Sequence, residues 1–341
     1  MKTNRKYYML LFLCGVTLLF IAGCGDKSAD TVVKKIEGTL EDLEGYKIAA
    51  DMTMKTGKED QQYEIDVWYK KGEEDFYRVG LSNKEDKEGQ IILKNKDGVF
   101  VLTPELNKSF KFQTDWPGNT SQPYLYQSLV EDVLTDKEAS FSATDNHYVF
   151  ETKTNYQNNT NLPYQEVYFD KKTYAPTAVK VLDEDKQPLI EVAFQHLDTD
   201  PSFSKADFDR EDILEETIAN TEVSNVEEPQ TLAVTFPLET LGAELVEKEE
   251  VELEDGERVI MTFKGERNFT LVQERQLTEQ ASATVENVQG DVVQVGENLG
   301  AISENALEWN EAGVNFYLAS DDMSMEELIE VATTMDGKEA K

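Results

Sequence analysis

The amino-acid sequence predicts a mainly β protein of the α+β class, built as two units behind an export leader. Three observations predict it. Apolar and polar residues alternate along many short runs, as in half-buried strands. In a few segments apolar residues recur at helical spacing instead. A polar stretch rich in Glu, Asn and Thr then divides the chain at residues 219–230.

Residues 1–23 read as a secretory signal peptide. Lys2, Arg5 and Lys6 give a positive start, Tyr7 to Ile21 an apolar run, and Ala22-Gly23 small residues before a cut. The run is shorter than the roughly 20 apolar residues that span a bilayer. The sequence turns polar at once through Gly25, Asp26, Lys27 and Ser28. Ile21-Ala22-Gly23-Cys24 resembles the bacterial lipobox. That likeness implies an acyl chain on the Cys24 thiol and a membrane anchor on the extracytoplasmic face. Cys14 lies in the leader, so the mature chain has no second cysteine for a disulfide.

Hydrophobic residues at 39% and aromatics at 10% suit folded cores rather than disorder. Net charge is −35, and losing the three leader cations takes the mature chain to −38. Such a field repels nucleic acid, whose binding rests on neutralised phosphates. It also repels anionic headgroups, which leaves the lipid on Cys24 to hold the membrane.

Residues 24–30 form the lipidated tether, polar from Asp26 to Asp30. The first unit covers residues 31–218. Val32, Val33, Ile36, Leu40 and Leu43 have helical spacing, with Gly45 as the stop. Period two follows. Tyr46, Ile48, Ala50, Met52 and Met54 share one face, then Tyr63, Ile65, Val67 and Tyr69, then Tyr77, Val79 and Leu81. Ile91–Leu93, Val99–Leu102 and Ser109–Phe112 complete an antiparallel meander with one face buried. A second helix carries Leu125, Leu129, Val130, Val133 and Leu134, with Ser121 able to cap it and Pro123 near its first turn. Strands resume at Phe141, Tyr148–Thr152, Gln165–Phe169, Ala178–Leu182 and Leu189–Phe194, with a polar loop at Asn155–Asn161 and a short acidic segment reaching Ile218.

After the linker, residues 231–341 predict a smaller α+β domain. Its strands are Glu244–Leu253, Arg258–Phe263, Asn268–Glu274, Val292–Val295, Gly300–Ser303, Ala306–Trp309 and Val314–Ala319. Ser324 and Glu327 match a capping box at the head of a closing helix.

The segment Tyr168-Phe169-Asp170-Lys171-Lys172-Thr173-Tyr174-Ala175-Pro176-Thr177 resembles the strand, Asp, turn, Pro segment of the lipoprotein-sorting superfamily. That superfamily includes the LolA and LolB carriers and the RseB/MucB regulators. Leu307-Glu308-Trp309, Gly313-Val314-Asn315-Phe316-Tyr317 and Ser324-Met325-Glu326-Glu327-Leu328 resemble a small domain of unknown function found in bacterial lipoproteins. The pairing of both units is similar to the YdcC-like, sporulation-associated lipoproteins of spore-forming bacilli. The resemblance implies a half-open antiparallel β-barrel wrapped around helices. Its concave face takes acyl chains or hydrophobic peptides in family members.

No catalytic or cofactor chemistry is legible. His147 and His196 lie far apart, and no Cys/His spacing for zinc occurs. No nucleophile elbow or phosphate loop appears. Asp183-Glu184-Asp185 and Asp207–Asp212 lack EF-hand spacing and read as turn or helix residues. The candidate ligand-binding residues are therefore the inward apolar set: Tyr63, Ile65, Val67, Tyr69, Tyr77, Val79, Phe110, Phe112, Val167, Phe169, Val192 and Phe194. They either fill a core against the helices or line a cavity, and both readings stand on the sequence. Two function classes stand with them. One is an anchored protein binding lipid or a lipoprotein acyl chain. The other is a non-enzymatic interaction or sensor module with an envelope protein as partner.

Overall fold

The structure is a computed structural model. It describes residues 27–55, 60–84, 89–104, 108–114, 116–117, 122–155, 162–220, 232–253, 256–276, 285–295, 298–311 and 313–337. The leader, Cys24, Ser121, and most of both the 155–161 loop and the 219–230 linker lie outside the described residues.

Helix α1 (Ala29–Glu41) buries Val32 and Ile36. Gly45 does not cap it but opens strand β1 (Gly45–Met54), because the chain passes close to β2 there. A Cβ on Gly45 would meet the Tyr69 carbonyl oxygen at 2.8 Å. The meander continues through β2 (Gln61–Lys70), β3 (Phe76–Asn83), β4 (Gly89–Asn95), β5 (Gly98–Thr103) and β6 (Lys108–Gln113). Helix α2 (Tyr126–Thr135) starts later than Ser121 would place it. Its N-cap is the extended Leu125, and Tyr124 and Leu125 insert into the core before the first turn. Strands β7 (Ser140–Ala143), β8 (His147–Lys153), β9 (Tyr164–Asp170), β10 (Pro176–Leu182) and β11 (Pro188–Asp198) follow, and β11 pairs with β1.

The resulting sheet is open. With β16 (Val285–Gln289) at one edge, its order is β16-β6-β5-β4-β3-β2-β1-β11-β10-β9-β8-β7, so its two edges do not meet. Twelve strands about 4.8 Å apart make a sheet roughly 50 Å across, whereas a helix with its side chains is about 10 Å wide. Inward residues from Phe112 on β6 to Phe150 on β8 are nevertheless buried in one cluster with α1 and α2. A flat sheet could not achieve this, so the sheet curls around the helices, as the half-open barrel expectation requires.

The acidic segment after β11 has a packing role that its charge conceals. Helix α3 (Arg210–Asn220), which runs into the start of the expected linker, and the 3-10 turn Ala206–Phe208 lie against the outer face of the sheet. There Phe208, Ile213 and Leu214 bury Leu93, Phe100 and Leu102. Asn95 fixes the turn by donating from Nδ2 to the Phe208 carbonyl at 3.0 Å.

The C-terminal unit holds a seven-stranded sheet of order β13-β14-β15-β20-β19-β18-β17. Its strands are β13 (Ala243–Leu253), β14 (Gly256–Gly265), β15 (Phe269–Gln276), β17 (Asp291–Val295), β18 (Asn298–Ile302), β19 (Ala306–Glu311) and β20 (Val314–Ala319). A short pair, β12 (Phe236–Pro237) and β21 (Met335–Gly337), flanks it. Helix α4 (Met325–Ala332) carries the expected capping box. The Ser324 hydroxyl accepts from the Glu327 N–H, and the Glu327 carboxylate accepts from the Ser324 N–H. Beside the short β12 and β21, a further strand has no counterpart among the expected ones. Residues Val285–Gln289 form β16, which pairs in parallel with β6 and joins the first sheet.

Candidate functional site

The inward face of the large sheet brings the candidate residues together. The antiparallel registers set Tyr69 opposite Tyr77, Val67 opposite Val79, Phe112 opposite Val99, and Val192 opposite both Met52 and Val179. Tyr63, Ile65, Val67, Tyr69, Tyr77, Val79, Phe112, Val167, Phe169 and Val192 are all buried, and Phe110 and Phe194 pack against the same cluster half-buried. Alternation alone places them on one face. Cys24 lies outside the described residues.

Tyrosines dominate the layer between sheet and helices. Ring centroids run Tyr46–Tyr69 5.1 Å, Tyr69–Tyr77 5.1 Å, Tyr77–Trp116 5.7 Å and Tyr46–Tyr126 6.0 Å. Sequence reasoning missed Trp116, Tyr124 and Tyr126, because they sit outside any alternating run. Burial opposes ionisation of these phenols. It raises Tyr46 and Tyr77 well above the usual phenol range, and with the nearby Asp75 carboxylate it lifts Tyr69 to about 12. All three stay neutral at physiological pH. Such side chains offer an apolar body and one hydrogen-bonding tip.

Those tips, with two polar side chains, pin α2. Tyr46 Oη donates to Gln127 Oε1 at 2.5 Å, Tyr126 Oη to the Tyr174 carbonyl at 3.2 Å, and Gln165 Nε2 to Asp132 Oδ2 at 2.7 Å. The Tyr174 carbonyl belongs to the segment that carried the superfamily resemblance, which is the β9–β10 turn. Asp170 organises that turn. Its Oδ1 accepts from the N–H groups of Lys172 (2.9 Å) and Thr173 (2.8 Å) and from the Thr173 hydroxyl (3.1 Å). These bonds, the Thr173 N–H first among them, hold its carboxyl below the usual carboxylate range. An Asp170→Ala chain is expected to lose about 1 kcal/mol of stability at neutral pH. Because the folded-state pKa is depressed, the stabilisation is present above the ordinary carboxylate range. It is lost as pH falls through the folded value. Urea titrations at pH 7 and pH 3 should therefore show the gap between variant and wild type closing in acid.

The two histidines do not meet. His147 on β8 packs edge-on against Tyr168, and His196 is exposed on β11. Among the described residues no group of three or more His, Cys, Asp or Glu could hold a metal ion. The acidic stretches are turn-formers as expected. Asp183 Oδ1 accepts from the Gln187 N–H at 2.8 Å, and Asp207 Oδ2 accepts from the Ser204 N–H at 2.8 Å.

The layer is not closed by the helices alone. Val288, Val292, Leu299 and Ala301 of the C-terminal unit belong to the same buried cluster. Leu299 donates its N–H to the buried Gln90 Oε1 at 2.5 Å, and Thr114 Oγ1 donates to Asp291 Oδ1 at 2.5 Å.

Fold and site define a half-barrel protein: an open sheet curled over two helices around one apolar layer, with a second, smaller sheet unit. The family described as sporulation protein YdcC-like matches residues 4–208, and a domain of unknown function, DUF4367, matches residues 240–335. Sporulation protein YdcC of Bacillus subtilis (strain 168) is 42% identical over 343 residues, covering 100% of both chains. This chain belongs to the sporulation protein YdcC-like family. Solved structures superpose loosely. A chain of the Pseudomonas aeruginosa MucA/MucB complex is 12% identical with a TM-score of 0.33, covering 92% of this chain and 99% of that one. A LolA superfamily protein from Nitrosomonas europaea is 10% identical with a TM-score of 0.30, covering 54% of this chain and 99% of that one.

Proposed function

We propose that this protein is a lipoprotein of the cell envelope, held through acylated Cys24 on the extracytoplasmic face of the membrane, and that it binds a lipid or lipoprotein acyl chain between its large sheet and α2. The observation that carries the binding reading is the continuous apolar layer under a ten-residue helix whose pins are single side-chain hydrogen bonds. Lifting α2 would offer a chain one uninterrupted apolar surface, and each methylene buried there contributes about 0.8 kcal/mol. The full-length likeness to a sporulation protein supports a role in sporulation. No covalent chemistry is required.

Native mass spectrometry of residues 26–341 tests the ligand. An added mass that dissociates as a phospholipid or fatty-acyl species is the expected result. A bare chain, unchanged after exposure to lipids and acylated peptides, would leave the interaction or sensor module as the reading. That alternative is favoured by the C-terminal unit's share in the first core, which makes each unit sensitive to what the other binds. The anchor has its own test. Cys24→Ser is expected to move the protein from the membrane fraction to the soluble one and to remove the acyl mass. Membrane retention of that variant would refute attachment through Cys24.

A further inference from the structure

We propose that the β9–β10 turn is the end of the large sheet that faces the membrane, where its lysines meet anionic headgroups. The inference rests on the anchoring through Cys24 proposed above. Lys27 lies three positions after that cysteine, and three residues of chain reach at most about 11 Å. Lys27 is not free to wander. Its ammonium group hydrogen-bonds the Tyr174 hydroxyl and sits 5.0 Å from the centre of that ring. The lipid anchor is thereby tied to this turn, whatever the rest of the molecule does.

The chemistry of the turn suits a headgroup layer. Tyr174 stacks on Tyr148 with centroids 6.0 Å apart and planes 18° from parallel. The Lys171 ammonium lies 5.3 Å from the centre of the Tyr148 ring, and Lys172 is exposed beside it. Tyr148 is buried in the core, but the half-buried Tyr174, flanked by lysines, is of the kind that settles at membrane interfaces, and clustered lysines near an anchor add attraction to anionic lipid. The turn's own Asp170 stays ionised, held by the turn's N–H groups, so with Lys171 and Lys172 the turn keeps one net positive charge. Asp30, the exposed Asp145, and Asp198 and Asp200 at the end of β11 are the acids on neighbouring segments, against Lys27, Lys171 and Lys172. In a chain of sequence pI about 4.3, three lysines gathered at this one turn depart from the general field, which Glu73 and Glu74 of the β2–β3 turn still express at the same end of the sheet. The opposite end of β10 is different. The β10–β11 turn, Asp183–Lys186, carries exposed Glu184 and Asp185. It stands seven strand residues away, roughly 23 Å.

The full lipidated chain in vesicles of zwitterionic and anionic phospholipid tests this. Asp145→Cys and Glu184→Cys each remove one exposed acid from a turn, one at either end, and each receives a fluorophore. Headgroup-quencher lipid is expected to quench the label at position 145 several-fold more than the label at 184. The difference should grow with the anionic fraction and shrink in Lys171→Glu/Lys172→Glu or at high salt. Equal quenching, or more at 184, overturns the orientation. Greater quenching at 145 with no dependence on anionic lipid or on the lysines overturns the headgroup contact. Flotation of the same samples reads the anchor separately. A chain that does not float refutes attachment by Cys24, whereas one that floats with 184 nearer the surface refutes only the orientation.

Discussion

A Val67→Glu chain is expected to be unfolded in its N-terminal unit at neutral pH. Val67 is 0% exposed, opposite Ile48 on β1 and Val79 on β3, in the middle of the sheet beneath the helices. Its cross-strand neighbours, Ile48 and Val79, offer an ionised carboxylate no hydrogen bond. Taking it from water costs several kcal/mol, a large part of the 5–15 kcal/mol that keeps a domain folded. Val67→Ala removes two methyl groups without adding charge, and its cost is expected near 2 kcal/mol. The pH dependence gives the mechanism away. The glutamate's folded-state pKa would be raised above its unfolded value of about 4.3. The neutral form is then the one the core tolerates, so the variant is least impaired below that value and loses stability as pH rises through the folded one. Circular dichroism and urea titration at pH 4 and pH 7 would show it. A Val67→Glu chain fully folded at pH 7 but unable to retain lipid would mean that solvent or ligand reaches Val67, and that the layer is a lined cavity rather than a filled core.

The strands were legible because half-buried sheets write themselves into a sequence with period two. Tyr46, Ile48, Ala50, Met52 and Met54 are all inward and buried, as their spacing predicts. The inward candidates on β2, β3, β9 and β11 share that face for the same reason. What escaped detection had a different physical origin. The outer-face layer under α3 was announced by Ile91-Ile92-Leu93 and Val99-Phe100-Val101-Leu102, which do not alternate. Continuous apolar runs belong to strands covered on both sides, and here the cover is Phe208, Ile213 and Leu214 within an acidic segment. The aromatic ribbon was half visible. Tyr69 and Tyr77 lie in alternating strands, but Trp116 and Tyr126 reach it from a turn and from a helix's first residue. Strand β16 left the weakest trace. Five residues, Val285-Glu286-Asn287-Val288-Gln289, present a single buried side chain among those whose burial is described, and parallel pairing is a non-local choice that local pattern does not encode.

That strand carries the second large expectation. Val288→Asp is expected to uncouple the two units. Val288 is 8% exposed and opposes Phe112 in the parallel register. A buried aspartate there has the same desolvation cost as the glutamate at Val67, but β16 is an edge strand and can leave without dissolving either sheet. Each sheet keeps its own core. The second retains Met261, Leu271, Leu307, Leu318, Leu328 and Val331, all fully buried. The first loses Val288 and the support that Val292, Leu299 and Ala301 draw from it. Thermal unfolding should therefore split from one cooperative transition into two. Hydrogen exchange should find the break, since β6 would become the sheet edge and those amides of Lys108–Gln113 that face β16 would lose protection by roughly 100-fold, equivalent to about 3 kcal/mol. The amides that β6 directs to β5 should change little. If exchange along β6 is unaltered and unfolding remains a single transition, coupling runs instead through the Gln90–Leu299 and Thr114–Asp291 bonds. The C-terminal unit would then be a cap on the apolar layer, not a strand donor to it.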